Sequence, residues 1–546
     1  MPTKSCVGFV KGMEFSKFIN YAGNVARGAA QVVSAIAHAA CPTTLNGSSD
    51  FTRGGVRWMG TAEGGTAASP THPAPLPFEA SARLHKEAAS RMAEPVYRAV
   101  PSTRTTRAMA FGSLFFQLGW DRLVGSRGES QFIPAYSHRR IVETLCRMRG
   151  AVMKLGQMLS IQDDSTIPAQ ITELFERVRD SAYAMPASQL NQTLAKEYGN
   201  DRWREELFVS FVDKPVAAAS IGQVHIATIK VPVSDVIGKE AEAAGDTVRT
   251  ETVAVKVQYP GVARSIDSDV ANLRMLMSLN ILPPGLFVGN ILDELRRELS
   301  SECSYEQEAE KQMRYGALVE KDADLRDVFV VPRVYRSLST DRVLVTQMVS
   351  GVTVDKLAAV EEAQDIKNYV AKNMLQLTLT ELFRWRFMQT DPNYSNFLFC
   401  PDTNKISLID FGAAREYSEE FVRDYLEVVA AAARKDRKGV IDISIKLGFL
   451  TGNEMREMLD AHAESVVLLG LPFANREAPF DFSAEQLPSR IQGFVPTIVK
   501  LRLRPPPTPV YSLHRRLSGA ILLSTKLKAV VPCGRLFWEM YDDLTK

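Results

Sequence analysis

The chain has few cysteines, no long apolar run and no surplus of one charge, and each of these absences excludes a class of protein. Its six cysteines are widely separated and form no CxxC pair, which argues against a zinc site or a disulfide framework. No run of about 18 apolar residues occurs, so a conventional membrane-spanning helix is not expected. The 65 basic and 63 acidic residues leave a net charge of only +2. No nucleic-acid partner is therefore expected, because such proteins carry a clearly basic domain or stripe.

The N-terminal segment has a different composition from the rest of the 546-residue chain. Residues 1–49 contain four basic residues and a single acid, Glu14, among many alanines, serines and glycines. Such acid-poor, basic segments are typical of mitochondrial transit peptides, although a disordered tail is the alternative. Residues 42–80 are rich in Gly, Pro, Ser and Thr and indicate a linker. We therefore assign residues 1–80 to a targeting segment and linker.

Residues 81–200 are predicted to be a helical extension. Its apolar stretch 108–120 is too short to span a bilayer. The preceding Arg104 and Arg107, with a tryptophan at the far edge, suit a helix lying in the membrane interface; a buried helix is the alternative. Farther along, the apolar residues of 139–162 recur at helical spacing.

From residue 201 onward, short runs rich in Val and Ile predict strands. They occupy residues 207–212, 221–231 and 252–259, with a charged insert, Ser234 to Glu251, at a hairpin tip and another strand pair near 328–334 and 342–349. Beyond about residue 355 the pattern is mostly helical, with short strands at 397–400 and 405–410. The fold class is therefore α+β, with a sheet-containing lobe over residues 201–350 and a helical lobe over residues 351–546.

Four polar residues occur in an order that suits a nucleoside triphosphate. They are Lys256 in the apolar strand VAVK, Asp391 and Asn396 in QTDPNYSNF, and Asp410 in DFG. A lysine can act as a point charge on phosphates, and the oxygens of Asn396 and Asp410 suit Mg²⁺. Asp391 stands where a kinase has its catalytic base. Together these motifs predict a protein-kinase-like bilobal fold that binds ATP or ADP with Mg²⁺.

Two features depart from an ordinary protein kinase. The loop before the lysine strand reads Ala217-Ala218-Ala219-Ser220 where glycines are expected, and alanine restricts φ. We expect a stiffer loop that still contributes to nucleotide binding, together with Gln347, Met348 and Val349. Only residues 413–417 separate DFG from Ser418, which is a candidate N-cap. A protein kinase needs about twenty or more residues here for its activation segment, so no peptide-docking platform is expected.

These motifs resemble the UbiB family of atypical kinase-like proteins, and most closely its mitochondrial coenzyme Q-biosynthesis branch. Lys154-Leu155-Gly156-Gln157 matches the KxGQ motif of the family, and AAASIGQVH matches its alanine-rich loop. VAVK, TDPNYSN, DFGAAREY and the C-terminal YSLHR follow in order. The resemblance covers about residues 95–546 and implies that the KxGQ extension packs over the region where true kinases bind peptides.

The resemblance also implies roles for two glutamates. Glu302 would open an ExD motif that pairs with the KxGQ lysine, so Lys154, Gln157 and Glu302 are expected to be regulatory. Glu308, on the same helix, would be the partner of Lys256, and both would serve catalysis with the base-position aspartate. In this chain the ExD motif reads Glu302-Cys303-Ser304, with serine where aspartate is expected.

The function implied by the resemblance is an ATPase-like activity that supports the lipid-modifying enzymes of coenzyme Q synthesis at the matrix face of the mitochondrial inner membrane. The implied partners are a lipid or coenzyme Q precursor, the biosynthetic enzymes, an inner-membrane surface with cardiolipin-like lipids, and a second copy in a homodimer. Two alternatives remain. One is a small-molecule or lipid kinase, since Asp391 is retained, and the other is a catalytically silent scaffold.

Overall fold

The computed structural model describes the chain from residue 184 to its end, with short gaps. The described residues are 184–219, 221–232, 248–277, 287–360 and 363–546, together with Pro73, Ala151 and Lys154. The predicted targeting segment 1–49, the linker 42–80 apart from Pro73 and the interfacial stretch 108–120 lie outside them, as do Gln157 and Ser220. Among the described residues no helix is long and apolar enough to cross a membrane.

Short strands and longer helices alternate along the described residues. In chain order the strands are β1 (Ser210–Phe211), β2 (Ala217–Ala218), β3 (Gly222–Pro232), β4 (Val248–Gln258), β5 (Phe329–Val330), β6 (Val343–Gln347), β7 (Val352–Thr353), β8 (Phe387–Gln389), β9 (Phe397–Cys400), β10 (Lys405–Leu408), β11 (Ala414–Glu416), β12 (Phe480–Asp481) and β13 (Val530–Val531). The α-helices are α1 (Ala187–Tyr198), α2 (Trp203–Leu207), α3 (Val262–Met277), α4 (Val288–Glu302), α5 (Tyr305–Lys321), α6 (Gln364–Leu379), α7 (Glu419–Ala433), α8 (Arg437–Lys446), α9 (Arg456–Gly470), α10 (Phe482–Glu485), α11 (Leu487–Gln492), α12 (Val495–Leu501), α13 (Thr508–Lys526) and α14 (Cys533–Thr545). A π-helical turn, Thr380–Arg384, follows α6 directly.

The first lobe is a five-stranded antiparallel sheet in the order β1-β3-β4-β6, with β2 paired to β3. Its central strand β4 alternates strictly: Val253, Val255 and Val257 are fully buried, whereas Ala254 and Lys256 point to the opposite face. Successive side chains of a strand point to opposite faces. The buried valines therefore fix which way the lysine faces.

The second lobe is mainly helical and has its own hydrophobic core, built on α6, α7, α13 and α14 around a sheet in the order β5-β10-β9-β7. Helix α7 begins at Glu419 because the Ser418 hydroxyl accepts from the amide of Phe421 at 3.3 Å. Acidic residues in its first turn, Glu419 and Glu420, favour the same start. The Ser418 cap thus follows DFG after only five residues, the short distance predicted from the sequence.

Two details of the sheets differ from the sequence prediction. Strand β5 does not join the first sheet with β6; it pairs in parallel with β10 of the second lobe, and only Val334 forms a bridge to Thr346. The charged insert is also shorter than predicted, because residues 248–251 lie within β4 and pair with β3. The side chains of these residues are mostly exposed at the far end of the hairpin, where a strand needs no apolar face.

Candidate nucleotide site

A cavity of about 540 Å³ lies between the first sheet and the strands of the second lobe. This volume is within the range of small-molecule sites. Five of the predicted nucleotide-binding residues line it, namely Ala217, Lys256, Gln347, Met348 and Val349. Ala218 and Ala219 do not line this cavity; they pair with the start of β3, where the amide of Ala219 donates to the carbonyl of Gly222 at 2.8 Å.

Lys256 is held at the cavity by two carboxylates. Its Nζ lies 2.7 and 2.9 Å from the two carboxylate oxygens of Glu308 and 3.5 Å from Oδ2 of Asp410. Burial by itself lowers the pKa of Lys256, but Asp410 and Glu308 hold it well above its ordinary value. Burial raises the pKa of Glu308 to about 7, with Lys256 acting in the opposite direction. The lysine is therefore a fixed positive charge at the cavity.

Glu302 and Glu308 lie on two helices, not on the single helix that the sequence suggested. Glu302 is the last residue of α4, and Glu308 lies in the first turn of α5. Ser304 separates the helices because its backbone is extended and its hydroxyl accepts from the amide of Gln307 at 3.4 Å. The serine at the expected aspartate position thus has an N-cap role, which an aspartate could also fill.

Lys154 is buried among three carboxylates. Its Nζ lies 2.5 Å from Glu302 Oε1, 3.6 Å from Glu298 Oε2 and 3.8 Å from Asp391 Oδ2. Burial lowers the pKa of Lys154, yet these carboxylates together hold it above its ordinary value. The cation of the predicted KxGQ motif therefore lies at the base position of the kinase-like lobe, and a solvent-facing position for it is excluded.

Asp391 is an ionised acceptor in this surrounding. Burial alone would raise its pKa, but Lys154 and Arg515 lower it, and a hydrogen bond from the amide of Asn393 at 3.2 Å adds to that effect. Arg515 also donates to the carbonyl of Thr390 at 3.3 Å and pairs with Glu298. The loop that carries Asp391 is therefore held by helix α13.

A second buried arginine of α13 supports the same loop. Arg516 donates to Glu381 Oε2 at 3.1 and 3.2 Å. The other oxygen of Glu381 accepts from the amide of Gln389 at 2.9 Å and from the hydroxyl of Tyr315 at 2.6 Å. Glu381 lies in the π-helical turn, and such turns occur frequently at functional sites.

The residues predicted to hold a metal are adjacent. The amide of Ile409 donates to the carbonyl of Asn396 at 3.1 Å, which brings the next residue, Asp410, beside Asn396. The buried amide nitrogen of Asn396 has no hydrogen-bond partner, and Asp410 keeps a side chain that is 32% exposed. Among the described residues no three His, Cys, Asp or Glu side chains form a metal cage. One carboxylate and one amide do fit Mg²⁺ that arrives with phosphates, because the phosphates and waters supply its other oxygens.

The comparison with known proteins identifies the family. A model of the ABC1 atypical kinase-like domain matches residues 177–240 and 243–444. Over 460 residues the chain is 44% identical to the atypical kinase COQ8B, mitochondrial, of Danio rerio, in a match that covers 82% of this chain and 69% of that protein. It is 43% identical to the atypical kinase coq-8, mitochondrial, of Caenorhabditis elegans, over 81% of this chain and 58% of that protein. It is 37% identical to the atypical kinase COQ8, mitochondrial, of Saccharomyces cerevisiae, over 81% of this chain and 85% of that protein.

The chain belongs to the UbiB family of atypical kinases. These relatives place it in the branch that serves coenzyme Q biosynthesis. The predicted kinase-like fold is confirmed, as is the prediction of an ATP-dependent atypical kinase that acts in this pathway. The names of these relatives also carry the word mitochondrial.

Several residues at this UbiB cavity were not predicted from the sequence. Ala254, Leu344, Val352, Leu398 and Ile409 line its apolar walls. A signal existed for Ala254, because it stands two residues before Lys256 in a strand and so shares its face. No sequence signal existed for the other four, because an apolar residue on or beside a short strand is ordinarily predicted to lie in the hydrophobic core.

Gly222, in the alanine-rich loop region, was also missed. A Cβ at this position would lie 2.6 Å from the carbonyl oxygen of Val257 and 2.7 Å from the hydroxyl of Tyr305. Any side chain at Gly222 would therefore push β3 away from the residue that follows Lys256. The glycine is required by the close approach of two strands, and not by a left-handed φ.

Proposed function

We propose that this protein binds ATP or ADP with Mg²⁺ in the 540 Å³ cavity and hydrolyses ATP in support of the lipid-modifying enzymes of coenzyme Q synthesis, without phosphorylating other proteins. The observation that carries the proposal is that Lys256, which lines this cavity, pairs with both Glu308 and Asp410. In kinases the same three charges orient the phosphates and the metal.

The base of the nucleotide would lie between the apolar walls of the cavity. Ala254 and Leu344 line it from the first sheet, and Leu398 lines it from the second lobe. The loop after β6 would supply the polar contacts. In the part of the chain that is described, the amide of Val349 forms no hydrogen bond with the backbone. This amide is therefore available to donate to a ring nitrogen of the base.

The phosphates would lie at the opposite end, near Lys256. The ammonium of Lys256 would bind phosphate oxygens, while Glu308 keeps it in place. Asn396 and Asp410 would hold the metal, which when bound neutralises charge on the phosphates. Of the alanine-rich loop, Ala217 lines the cavity and would lie beside the phosphates.

Asp391 supports hydrolysis better than transfer to a protein hydroxyl. It is ionised, and its neighbour Lys154 lies 3.8 Å away, where the hydroxyl of a peptide substrate would have to enter. After DFG the chain goes directly into β11, which pairs with β8. No segment remains between Ala413 and Ser418 that could hold a peptide. A small acceptor such as water suits this space.

The finer location and partners also belong to this proposal. We place the protein at the matrix face of the inner membrane, with cardiolipin-like lipids, a lipid or coenzyme Q precursor and the biosynthetic enzymes as partners, and with a second copy in a homodimer. The relatives that are named mitochondrial support the compartment. Arg104 and Arg107 before the stretch 108–120 support contact with anionic lipid.

Phosphate release by the purified full chain tests the proposed function. The expected result is Mg²⁺-dependent release that rises with anionic membranes and coenzyme Q-like phenols and disappears in Lys256→Met. If mass spectrometry detects a phosphorylated phenol or lipid, the protein is a small-molecule or lipid kinase and not an ATPase. The retained Asp391 favours this alternative. Nucleotide binding without either product would leave a scaffold, and no nucleotide binding would overturn the proposal.

A further inference from the structure

One face of helix α5 contacts Phe411 and Gly412 of DFG directly and reaches Asp410 through Lys256. Glu308, Lys311 and Tyr315 are spaced by three and four residues, so they lie on the same side of the helix. Glu308 reaches Asp410 through Lys256, and the ring of Tyr315 packs on Phe411 with centroids 4.9 Å apart. The third contact, from Lys311, belongs neither to the nucleotide cavity nor to the carboxylates around Lys154.

Lys311 binds the backbone of the DFG glycine. Its Nζ donates to the carbonyl oxygen of Gly412 at 2.8 Å and to Oγ of Ser301 at 2.8 Å. Ser301 lies in the last turn of α4. One ammonium therefore connects α4, α5 and DFG.

Gly412 in turn holds the carboxylate of Asp410. The amide of Gly412 donates to Asp410 Oδ1 at 3.1 Å, while the other carboxylate oxygen faces Lys256 at 3.5 Å. The surroundings of Gly412 are tight, since a Cβ there would lie 3.1 Å from Cγ of Glu302. A shift of Gly412 would therefore turn the carboxylate of Asp410.

Ordinary protein kinases keep DFG in place through the activation segment that follows it. In this chain residues 413–417 are the whole connection to the cap of α7, and three of them form β11. Two elements hold DFG instead. From the β8 side, Gln389 donates to the carbonyl of Asp410 at 3.2 Å and Thr390 to the carbonyl of Ala413 at 2.8 Å. Helix α5 supplies the contact with Gly412.

We propose that Lys311 is a positioning residue for the metal site: by holding the carbonyl of Gly412 it fixes the orientation of Asp410 and supplies part of the anchor that an activation segment provides in ordinary kinases. This inference rests on the proposed function, because it assigns to Lys311 an effect on the metal that Asp410 would bind. Lys311 itself does not contact the nucleotide site; it acts through Gly412.

The test compares Lys311→Met with the wild-type full chain. Methionine keeps much of the length and apolar stem of the side chain and removes the ammonium. The Mg²⁺ concentration that gives half-maximal phosphate release should rise, and kcat should fall, by roughly tenfold or more, because small misplacements of catalytic groups are costly. The KM for ATP should stay within about twofold, because Lys311 does not touch the nucleotide.

Matched variants separate positioning from stability. Lys321→Met removes an exposed lysine from the end of the same helix and should leave all values at wild type. Lys311→Arg keeps a cation and should restore most of the Mg²⁺ dependence. The melting temperature of each variant shows whether it is partly unfolded. Partial unfolding would lower kcat, but it would not change the Mg²⁺ concentration that gives half-maximal phosphate release.

A wild-type Mg²⁺ midpoint and kcat in Lys311→Met would overturn this inference alone. A lower melting temperature with an unchanged Mg²⁺ midpoint would do the same, since it would show that Lys311 only stabilises the fold. No response to nucleotide in the wild-type chain would overturn the proposed function, and this inference with it.

Discussion

The ammonium of Lys154 lies 2.5 Å from Oε1 of Glu302 and is almost completely buried. This one contact joins a segment N-terminal to the kinase-like lobes to the end of α4, and the same ammonium lies 3.8 Å from Asp391. It places a positive charge where a kinase would receive its peptide substrate.

We expect Lys154→Arg to change nucleotide affinity or the phosphate-release rate by roughly fivefold or more, since small displacements in a catalytic site are costly. Arginine keeps the charge, so the melting temperature should change little, but its planar fork does not fit a site shaped for an ammonium. Isothermal titration and a phosphate-release assay measure the two quantities. Lys214→Arg, at an exposed position before the alanine-rich loop, is the control. If Lys154→Arg keeps the nucleotide affinity and phosphate-release rate of the wild type, Lys154 has only a structural role.

Asp410→Asn should remove the stabilisation that Mg²⁺-nucleotide gives. At a ligand concentration of about 100 Kd a bound ligand adds roughly 2.7 kcal/mol to the free energy of unfolding. Without the carboxylate the phosphates' charge is under-compensated, and this gain should fall close to zero. The measurement is the rise in melting temperature on adding Mg²⁺ and ATP, with the exposed Asp201→Asn as control. A rise of wild-type size in Asp410→Asn would refute the metal assignment.

Tyr315→Phe should destabilise the fold by about 1–3 kcal/mol, because it takes one hydrogen bond from a buried carboxylate. The hydroxyl lies 2.6 Å from Glu381 Oε1, whereas the ring contact with Phe411 would remain in the variant. Urea unfolding measures the loss. An unchanged free energy of unfolding would mean that the amide of Gln389 and Arg516 already satisfy Glu381.

His462 and His514 should make the free energy of unfolding depend on pH. Burial, reinforced by the charge of Arg502, lowers the pKa of each from an ordinary value of 6.5 to about 4. As pH falls, the unfolded chain therefore takes up these protons first. The contribution of the two neutral histidines to the free energy of unfolding is fully present above pH 6.5 and is lost as pH falls towards 4. Each histidine contributes roughly 3 kcal/mol at most.

The measurement compares variants, because Glu308 acts in the opposite sense. Its pKa is raised to about 7, so the folded chain takes up that proton first and gains stability as pH falls. His514→Phe retains the stacking position beside Phe449 and should flatten the loss of stability below about pH 6.5 relative to wild type. Urea unfolding of both proteins at about pH 7.5 and pH 5 measures this. An equal loss of unfolding free energy between the two pH values in wild type and His514→Phe would contradict a lowered pKa at His514.

The stretch 108–120 should contribute to lipid binding. Protein lacking residues 1–125 is expected to co-sediment less with anionic, cardiolipin-containing liposomes than protein that starts near residue 80, because the stretch and its arginines suit an interface. Neutral liposomes are the control for charge. Equal co-sedimentation of the two proteins would contradict the assignment of residues 108–120 to the membrane interface.

The kinase-like order of lobes could be predicted because its signals are local. Alternating valines mark β4, and the Ser418 cap marks the start of α7. The position of Lys256 on the cavity face follows from the same alternation. Each of these features needs only a few consecutive residues.

Two of the errors arose where a contact depends on residues far apart in the sequence, and a third arose at a single residue. Strand β5 has the composition of a partner for β6, yet it pairs with β10 of the other lobe, and composition does not specify a partner. The break between α4 and α5 depends on a single capping serine. The contact of Lys311 with Gly412 spans 101 residues, and a lysine on a helix is ordinarily solvated, so no pattern indicated it.

Helix α13 carries two neighbouring arginines that are both buried, Arg515 and Arg516. One pairs with Glu298 and the other with Glu381, and both pairs support the loop that ends in Asp391. A premature stop codon before this helix would remove the arginine partner of Glu381 and one of the two cationic partners of Glu298, the other being Lys154. Loss of the end of the gene product would therefore remove these charges together with part of the core of the second lobe, even though the nucleotide-binding motifs would all have been translated.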